Sequence, residues 1–267
     1  MSDGTRPDPV LYPELASENG SLVAALRVIS HRLGILLPGL VEAHPRQGLS
    51  VRFAAAVKTE FGDIRIDMRP ESRDVMLTIS MPLIGVAGSG STTSLKIAVE
   101  IAQAWQSGMP LAEMSSNWGF LNFSPKALAH DQGAGVEFEW GVIRKLSPEL
   151  IDQKMVEAAY VTPELRALFP MPAHGSLQFR RRTISAPGSD IPSIFPAAGG
   201  CWTVISLHDP QIPRPTVSSA EEAVRLVVAG LPAGCGPAVE VIHAARRKAR
   251  ESHANDQSER HTKPDRM

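Results

Sequence analysis

Between Val51 and Met81 apolar residues occupy every second position in three successive runs: Val51, Phe53, Ala55 and Val57; Ile64, Ile66 and Met68; Val75, Leu77, Ile79 and Met81. A period of two fits a strand with one buried face and does not fit a helix, whose period is 3.6. The separators Phe61-Gly62-Asp63 and Arg69-Pro70-Glu71 are turn signals too short for a crossover helix. The runs therefore return on one another as an antiparallel meander.

Helical patterns flank this meander. Ser21 to about Leu37 places Leu22, Leu26, Ile29 and Leu33 on one side, and Pro38 follows. After Gly85–Thr93, a small-residue loop, Ala98, Ile101, Ala102 and Trp105 form a stripe that ends at Gly108-Met109-Pro110. The second half repeats the order. Ser147-Pro148-Glu149 reads as a helix start, with Ile151, Met155 and Ala159 on the apolar side. Thr162-Pro163 caps a short helix, Pro170 and Pro172 break the chain, and Ala173-His174-Gly175 turns into a strand carrying Leu177 and Phe179. Thr183–Gly199 is a long Pro/Gly/Ser-rich excursion before the strand of Trp202, Val204 and Ile205. Ser218-Ser219-Ala220-Glu221 is a capping box opening a helix that stops at Gly230-Leu231-Pro232. Val136–Leu146 is ambiguous, and the alternation of Val136, Phe138 and Trp140 favours strand.

These patterns predict an α+β fold of two packed halves. Each runs helix, antiparallel strands, helix in an α-β-β-β-α order similar to small secretion-chaperone-like folds, and a degenerate duplication is a working hypothesis. The expected segments are a flexible arm over 1–18, an N-terminal half over 19–140, a C-terminal half over 141–244, and a disordered basic tail over 245–267. That tail holds seven Lys/Arg against four Asp/Glu. The whole chain of 267 residues has a net charge of −1, so charge gives no argument for nucleic acid or an anionic membrane. No run of about 18 apolar residues is present. The N-terminus lacks the basic and apolar regions of a signal peptide. Cys201 and Cys235 stand alone, without a CxxC or Cys/His cluster. The reading is a reducing, cytoplasmic protein with no structural metal and no cofactor.

Candidate chemistry is sparse. Gly85–Thr93 lacks the GK[ST] ending of a phosphate-binding P-loop. No GxSxG elbow occurs, no two histidines stand at i, i+4, and Ser176 near His174 is a coincidence of sequence until geometry says otherwise. His130-Asp131 could be a base with its orienter, or a histidine at a helix end. Cys235, between glycines, could be a reactive thiol or a small buried filler. Arg180-Arg181-Arg182 is the more informative cluster. If Phe179 points into the core, Arg181 shares its face and needs an anionic partner, from the chain or from a ligand. His174 lies just upstream.

The strings Glu164-Leu165-Arg166-Ala167-Leu168-Phe169-Pro170, His174, Leu177-x-Phe179-x-Arg181, and Leu231-Pro232-x-x-Cys235-Gly236-Pro237-Ala238 resemble an actinobacterial family of unknown function whose members are labelled natural product biosynthesis proteins. Ala104-Trp105-x-x-Gly108 and Trp140 share in the resemblance, which covers about residues 50–240. It implies a link to secondary-metabolite clusters, including those making modified peptides, and transfers no catalytic role. The sequence departs at Pro172-Ala173-His174, where the family carries a hydroxyl residue before the histidine. Two functions follow as expectations. One is an accessory protein binding a biosynthetic enzyme or precursor peptide through His174, Arg180, Arg181, Arg182, Trp202 and Trp140. The other is a cofactor-free cyclase, hydrolase or isomerase with a site between the halves, His174 as general acid/base and Arg181 as oxyanion or carboxylate holder.

Overall fold

A computed structural model describes residues 7–44, 53–69, 71–183, 190–206 and 214–262. The chain divides into two compact units, Met1–Asp131 with Ala245–Met267, and Gln132–Ala244. Both are α+β, and each holds one antiparallel sheet whose strands follow one another in chain order.

In the first unit, α1 (Pro13–Ala16) and α2 (Leu22–Arg32) precede β1 (Leu40–Glu42), β2 (Phe53–Thr59), β3 (Gly62–Met68), β4 (Val75–Met81) and β5 (Gly85–Thr92). Then come α3 (Leu95–Gln106), α4 (Leu111–Asn117), β6 (Asn122–Phe123) and α5 (Pro125–Gln132). The expected meander is present. Ile64–Ile79, Ile66–Leu77 and Met68–Val75 face each other across β3 and β4 and are all buried. Val51 lies outside the described residues. α2 stops before Pro38, because Gly34 takes φ +68° just beyond the last turn, the left-handed position that glycine reaches without a Cβ penalty.

Two expectations change here. The residues expected to form a loose arm are pinned where they are described: Tyr12 and Leu15 are buried, and Arg73 forms a two-pronged pair with Glu14 while donating to the Leu11 carbonyl at 2.6 Å. Gly85–Thr93 is not a loop either. It is β5, and its glycines permit close neighbours. A Cβ on Gly88 would lie 2.4 Å from the Phe123 ring, and one on Gly90 would lie 2.6 Å from the Phe120 carbonyl. The glycines make room for β6 and the turn before it.

The basic tail is also not loose where it is described. α10 (Val241–Thr262) runs through it, and Arg246 is wholly buried. Its guanidinium lies over the Trp105 ring at 4.5 Å and the Phe61 ring at 5.0 Å, with Nε 2.6 Å from Asp131 Oδ1. It also donates to the Met109 carbonyl, and Arg250 donates to the Gly108 carbonyl at 2.8 Å. Two arginines thus serve carbonyls of the turn that follows α3.

The second unit contains α6 (Gly135–Ile143), α7 (Gln153–Tyr160), α8 (Pro163–Arg166), β7 (Phe169–Ala173), β8 (Ser176–Arg180), β9 (Ser193–Ala197), β10 (Cys201–Ile205), β11 (Thr216–Val217) and α9 (Ala220–Ala229). Val136–Leu146 is therefore mostly helix, and Trp140 belongs to this unit's core beside Met155, Leu165, Phe179 and Val204. The apparent alternation came from three large side chains in a helix buried along much of its length. The helix expected from Ser147 begins later, at Asp152, whose carboxylate accepts from Lys154 N at 2.8 Å. The α9 cap is Ser219, one residue beyond the expected serine. β9 occupies part of Thr183–Gly199, of which 184–189 lie outside the described residues. Pro170 and Pro172 lie within β7 at the sheet edge, where a missing N–H is tolerated on the side away from the neighbouring strand.

Candidate functional site

The sequence-selected residues scatter over the second unit. His174 and Gly175 form the two-residue connection between Ala173 and Ser176, with φ +50° and +78°. Positive φ at both central residues is what a type I′ hairpin turn requires. His174 is exposed and shapes the turn. Arg181 follows the other end of β8. The strand between them places the two residues roughly 20 Å apart at about 3.4 Å per residue. One substrate atom cannot be served by both, so the expected His174/Arg181 pairing is not assembled.

Arg181 lies just past the end of β8 and is exposed, not turned inward, so burial does not impose a partner on it. Phe179 is buried as expected, and Arg181 pairs through both nitrogens with Asp190, Nε lying 3.3 Å from Oδ1. Arg182 is exposed and bridges Val239 in parallel. Arg180 is half-buried at the β7 edge, opposite Phe169. Near the Arg181–Asp190 pair, burial pushes the Cys235 thiol up, Arg181 pulls it down and Asp190 pushes it up. The net shift is upward, so the neutral thiol dominates at neutral pH and Cys235 packs as a small apolar group.

Trp140 is not a pocket wall. Its ring is wholly buried, and its indole N–H points at the Arg166 carbonyl at 3.0 Å and the Leu168 carbonyl at 3.2 Å. The Leu231–Ala238 string meets the same place, since Ala238 N donates to the Ala167 carbonyl at 2.8 Å and Val239 N to that of Arg181 at 2.9 Å. Trp140, Glu164–Pro170 and Leu231–Ala238 form one backbone latch. Their shared role is to hold the chain after α8 against the arginine end of β8.

In the first unit, Asp131, like His130, is buried. Its carboxylate holds Arg246 and also accepts from Leu111 N at 2.8 Å. Among the described residues, no group of three or more His, Cys, Asp or Glu could hold a metal ion. Nor is any helix of those residues long and apolar enough to cross a membrane.

Among the described residues, the second unit has a groove of about 820 Å³ between α7–α8 and α9. Ala158, Val161, Val224 and Val228 supply apolar walls, and Trp202 on β10 lies at its base. Lys154, Glu157, Glu164, Glu221 and Arg225 supply charge. On α7 and just past it the lining residues 154, 158 and 161 share one helix face, as do 220, 224 and 228 on α9. The groove therefore follows the helices for roughly 10 Å at about 1.5 Å per residue. Val161 is 72% exposed and Trp202 only 6%, so the lining grades from an open rim to a covered aromatic base. The Ser219 hydroxyl holds Glu221 ionised below the usual carboxylate range. Glu157 is taken by Arg144, Nε to Oε1 at 2.7 Å.

Of the expected binding residues, the groove includes Trp202 alone. The others went unrecognised because Ala158, Val161, Val224 and Val228 read as ordinary helix stripes. Only the packing of α7 beside α9 shows which part of each stripe stays open.

Residues 134–242 match the profile of a family of unknown function, DUF6193. The whole groove and the latch fall inside that segment. No match was found among curated proteins or among solved structures.

Proposed function

We propose that the chain is an accessory protein that binds a partner polypeptide in the α7–α8/α9 groove, the partner being a biosynthetic enzyme or precursor peptide of a natural-product pathway. The observation that carries this reading is the groove itself. It has apolar walls, an aromatic base, charged rims, and lining residues repeated at helical spacing on two neighbouring helices. Such a surface suits a short amphipathic helix laid along the groove with anchors at i, i+4 and i+7. Strand addition at β7 is less suited, because Pro170 and Pro172 remove donors that an added strand would use. The biosynthetic setting is supported by the resemblance carried by the Glu164–Pro170 and Leu231–Ala238 strings.

The test is site-specific crosslinking. A photoreactive residue at Val161 in the full chain, expressed in the native producer, is expected to capture one polypeptide that the same residue at exposed Leu150 does not. A synthetic peptide covering the captured segment is then expected to bind the wild-type chain and to lose at least tenfold in affinity to Ala158→Glu. Equal capture from both positions, or unchanged binding to Ala158→Glu, would overturn the assignment.

A further inference from the structure

The groove of the second unit has a direction. Ile151, just before α7, bridges Gly175, and a Cβ on Gly175 would lie 3.6 Å from the Pro196 ring. α9 starts at the same end of the sheet. Trp202 pairs with Pro196 on one side and, on the other, with Val217, two residues before the Ser219 cap. Both helices finish at the opposite end. A Cβ on Gly230, just after α9, would lie 2.8 Å from the Pro192 ring. Tyr160, the last residue of α7, packs edge-on against Trp140, which donates to the Leu168 carbonyl beside Phe169. Phe169 pairs with Arg180, and the antiparallel pairing of Leu177 with Ile194 sets Arg180 towards Ile191 and Pro192. The two helices that wall the groove therefore run the same way.

Parallel helices add their dipoles. Partial positive charge collects where α7 and α9 begin, and partial negative charge where they end. The charged side chains lining the groove follow this field. Glu157 is taken by Arg144. Glu221 and Arg225 stand one turn apart on α9, where the Ser219 hydroxyl and, more weakly, Arg225 hold the carboxylate ionised. That leaves Lys154, in the first turn of α7, and Glu164, beyond its last turn, as the charges at the two ends. Both are exposed. A bound helix lies in this field as a dipole of its own. Antiparallel to α7 and α9, it sets its C-terminal end against two positive helix starts and Lys154, and its N-terminal end beside two negative helix finishes and Glu164. In the parallel sense it meets like partial charge at both ends.

We propose that the groove takes its partner as a helix antiparallel to α7 and α9, with a basic residue in the partner's first turn facing Glu164 and an acidic one in its last turn facing Lys154. The proposal rests on the reading of the groove as a polypeptide site and adds the direction and charge pattern of the occupant.

Two synthetic peptides of about 14 residues test it on the full chain. Each carries leucines at i, i+4 and i+7 and is held helical by a hydrocarbon staple on the outer face. One has Lys in its first turn and Glu in its last, and the other has the two exchanged. In fluorescence anisotropy the Lys-first peptide is expected to bind roughly 3- to 30-fold more tightly, the range for two helix-end interactions. The paired change Lys154→Glu/Glu164→Lys is expected to erase or reverse that preference, and Ala158→Glu to weaken both peptides. In NMR, a nitroxide at the N-terminus of the Lys-first peptide is expected to broaden the amide signals of Val161 and Val228 more than those of Lys154 and Ala220. A nitroxide at its C-terminus is expected to do the reverse. Equal affinities, or the exchanged broadening pattern, would overturn the direction and leave the groove reading standing. Binding of both peptides untouched by Ala158→Glu would sink both. Binding of neither peptide would overturn the helical occupant, while capture from Val161 decides the groove reading separately.

Discussion

Replacing Arg246 by methionine keeps much of the side chain's length while removing its charge and its donors. The wild-type guanidinium is fully buried, paired to Asp131 at 2.6 Å and enclosed by the Trp105 and Phe61 rings. Burial pulls its pKa down and Asp131 pushes it back up. This is the balance expected of a charge that is tolerable inside only while its partner stays. In Arg246→Met the Asp131 carboxylate remains buried, still accepting from Leu111 N but without its cation. Breaking such a pair costs about 3–5 kcal/mol, against a total of about 5–15 kcal/mol for a domain. For a unit of this size, each kcal/mol moves the midpoint by about 2–4 °C, so the first unit's thermal midpoint should fall by roughly 6–20 °C. Hydrogen exchange localises the loss. Peptides from α3 and from β2–β3 should lose protection while those from β8 and α9 keep theirs. The double variant Asp131→Leu/Arg246→Met should recover much of the stability, because an apolar replacement of a buried pair is often neutral or better. The cycle would then show a coupling above about 2 kcal/mol. A single-variant cost under about 1 kcal/mol, or a double variant no better than Arg246→Met, would refute the claim that the C-terminal helix completes the first unit through this pair.

Gly88→Val should destabilise the first unit by at least about 2 kcal/mol in chemical denaturation, since even the first added carbon meets Phe123 and the Asn122 carbonyl at 2.4 and 2.8 Å. Glu14 sits below the ordinary carboxylate range, chiefly because Arg73 hydrogen-bonds its ionised form. Its contribution is therefore present above about pH 4.5 and is lost as pH falls through the lowered folded value. Hydrogen exchange over residues 7–20 should rise in that acid window, and Glu14→Gln should flatten the dependence. In a Cys201→Ser background, Cys235 should alkylate more slowly at pH 8 than a free cysteine, because burial raises its pKa. Arg181→Ala should slow it further and Asp190→Ala should speed it, the opposite order refuting the electrostatic assignment.

The Glu164–Pro170 and Leu231–Ala238 strings serve backbone packing. Glu164–Pro170 and Leu231–Ala238 drew attention towards His174 and Arg181, which lie at opposite ends of β8. Their hydrogen bonds show instead that the two strings stitch to each other, with Trp140 holding the first from beneath. Nothing in a linear string distinguishes a backbone latch from a catalytic loop, because both favour glycine, proline and a fixed spacing.

What the sequence determined by itself is the meander and the helix beside it. The alternation of Ile64–Met68 and Val75–Met81 satisfies one buried sheet face and no other arrangement, and the capping box at Ser218–Glu221 marks a helix start to within one residue of the Ser219 cap. Two-residue periodicity and side-chain capping are local, so they survive in a linear reading. The tertiary structure decided the rest, through contacts between residues far apart in the chain. Gly88 and Gly90 are strand residues because β6 needs their missing Cβ atoms. Val136–Ile143 is helical because Trp140 fills a core built from Leu165, Phe179 and Val204. Arg246 leaves solvent because Asp131, Trp105 and Phe61 together offset its desolvation. The groove over Trp202 exists because α7 and α9 leave part of two apolar stripes uncovered. An apolar stripe announces that a face will be buried, and only the packed neighbours determine how much of it stays open to a partner.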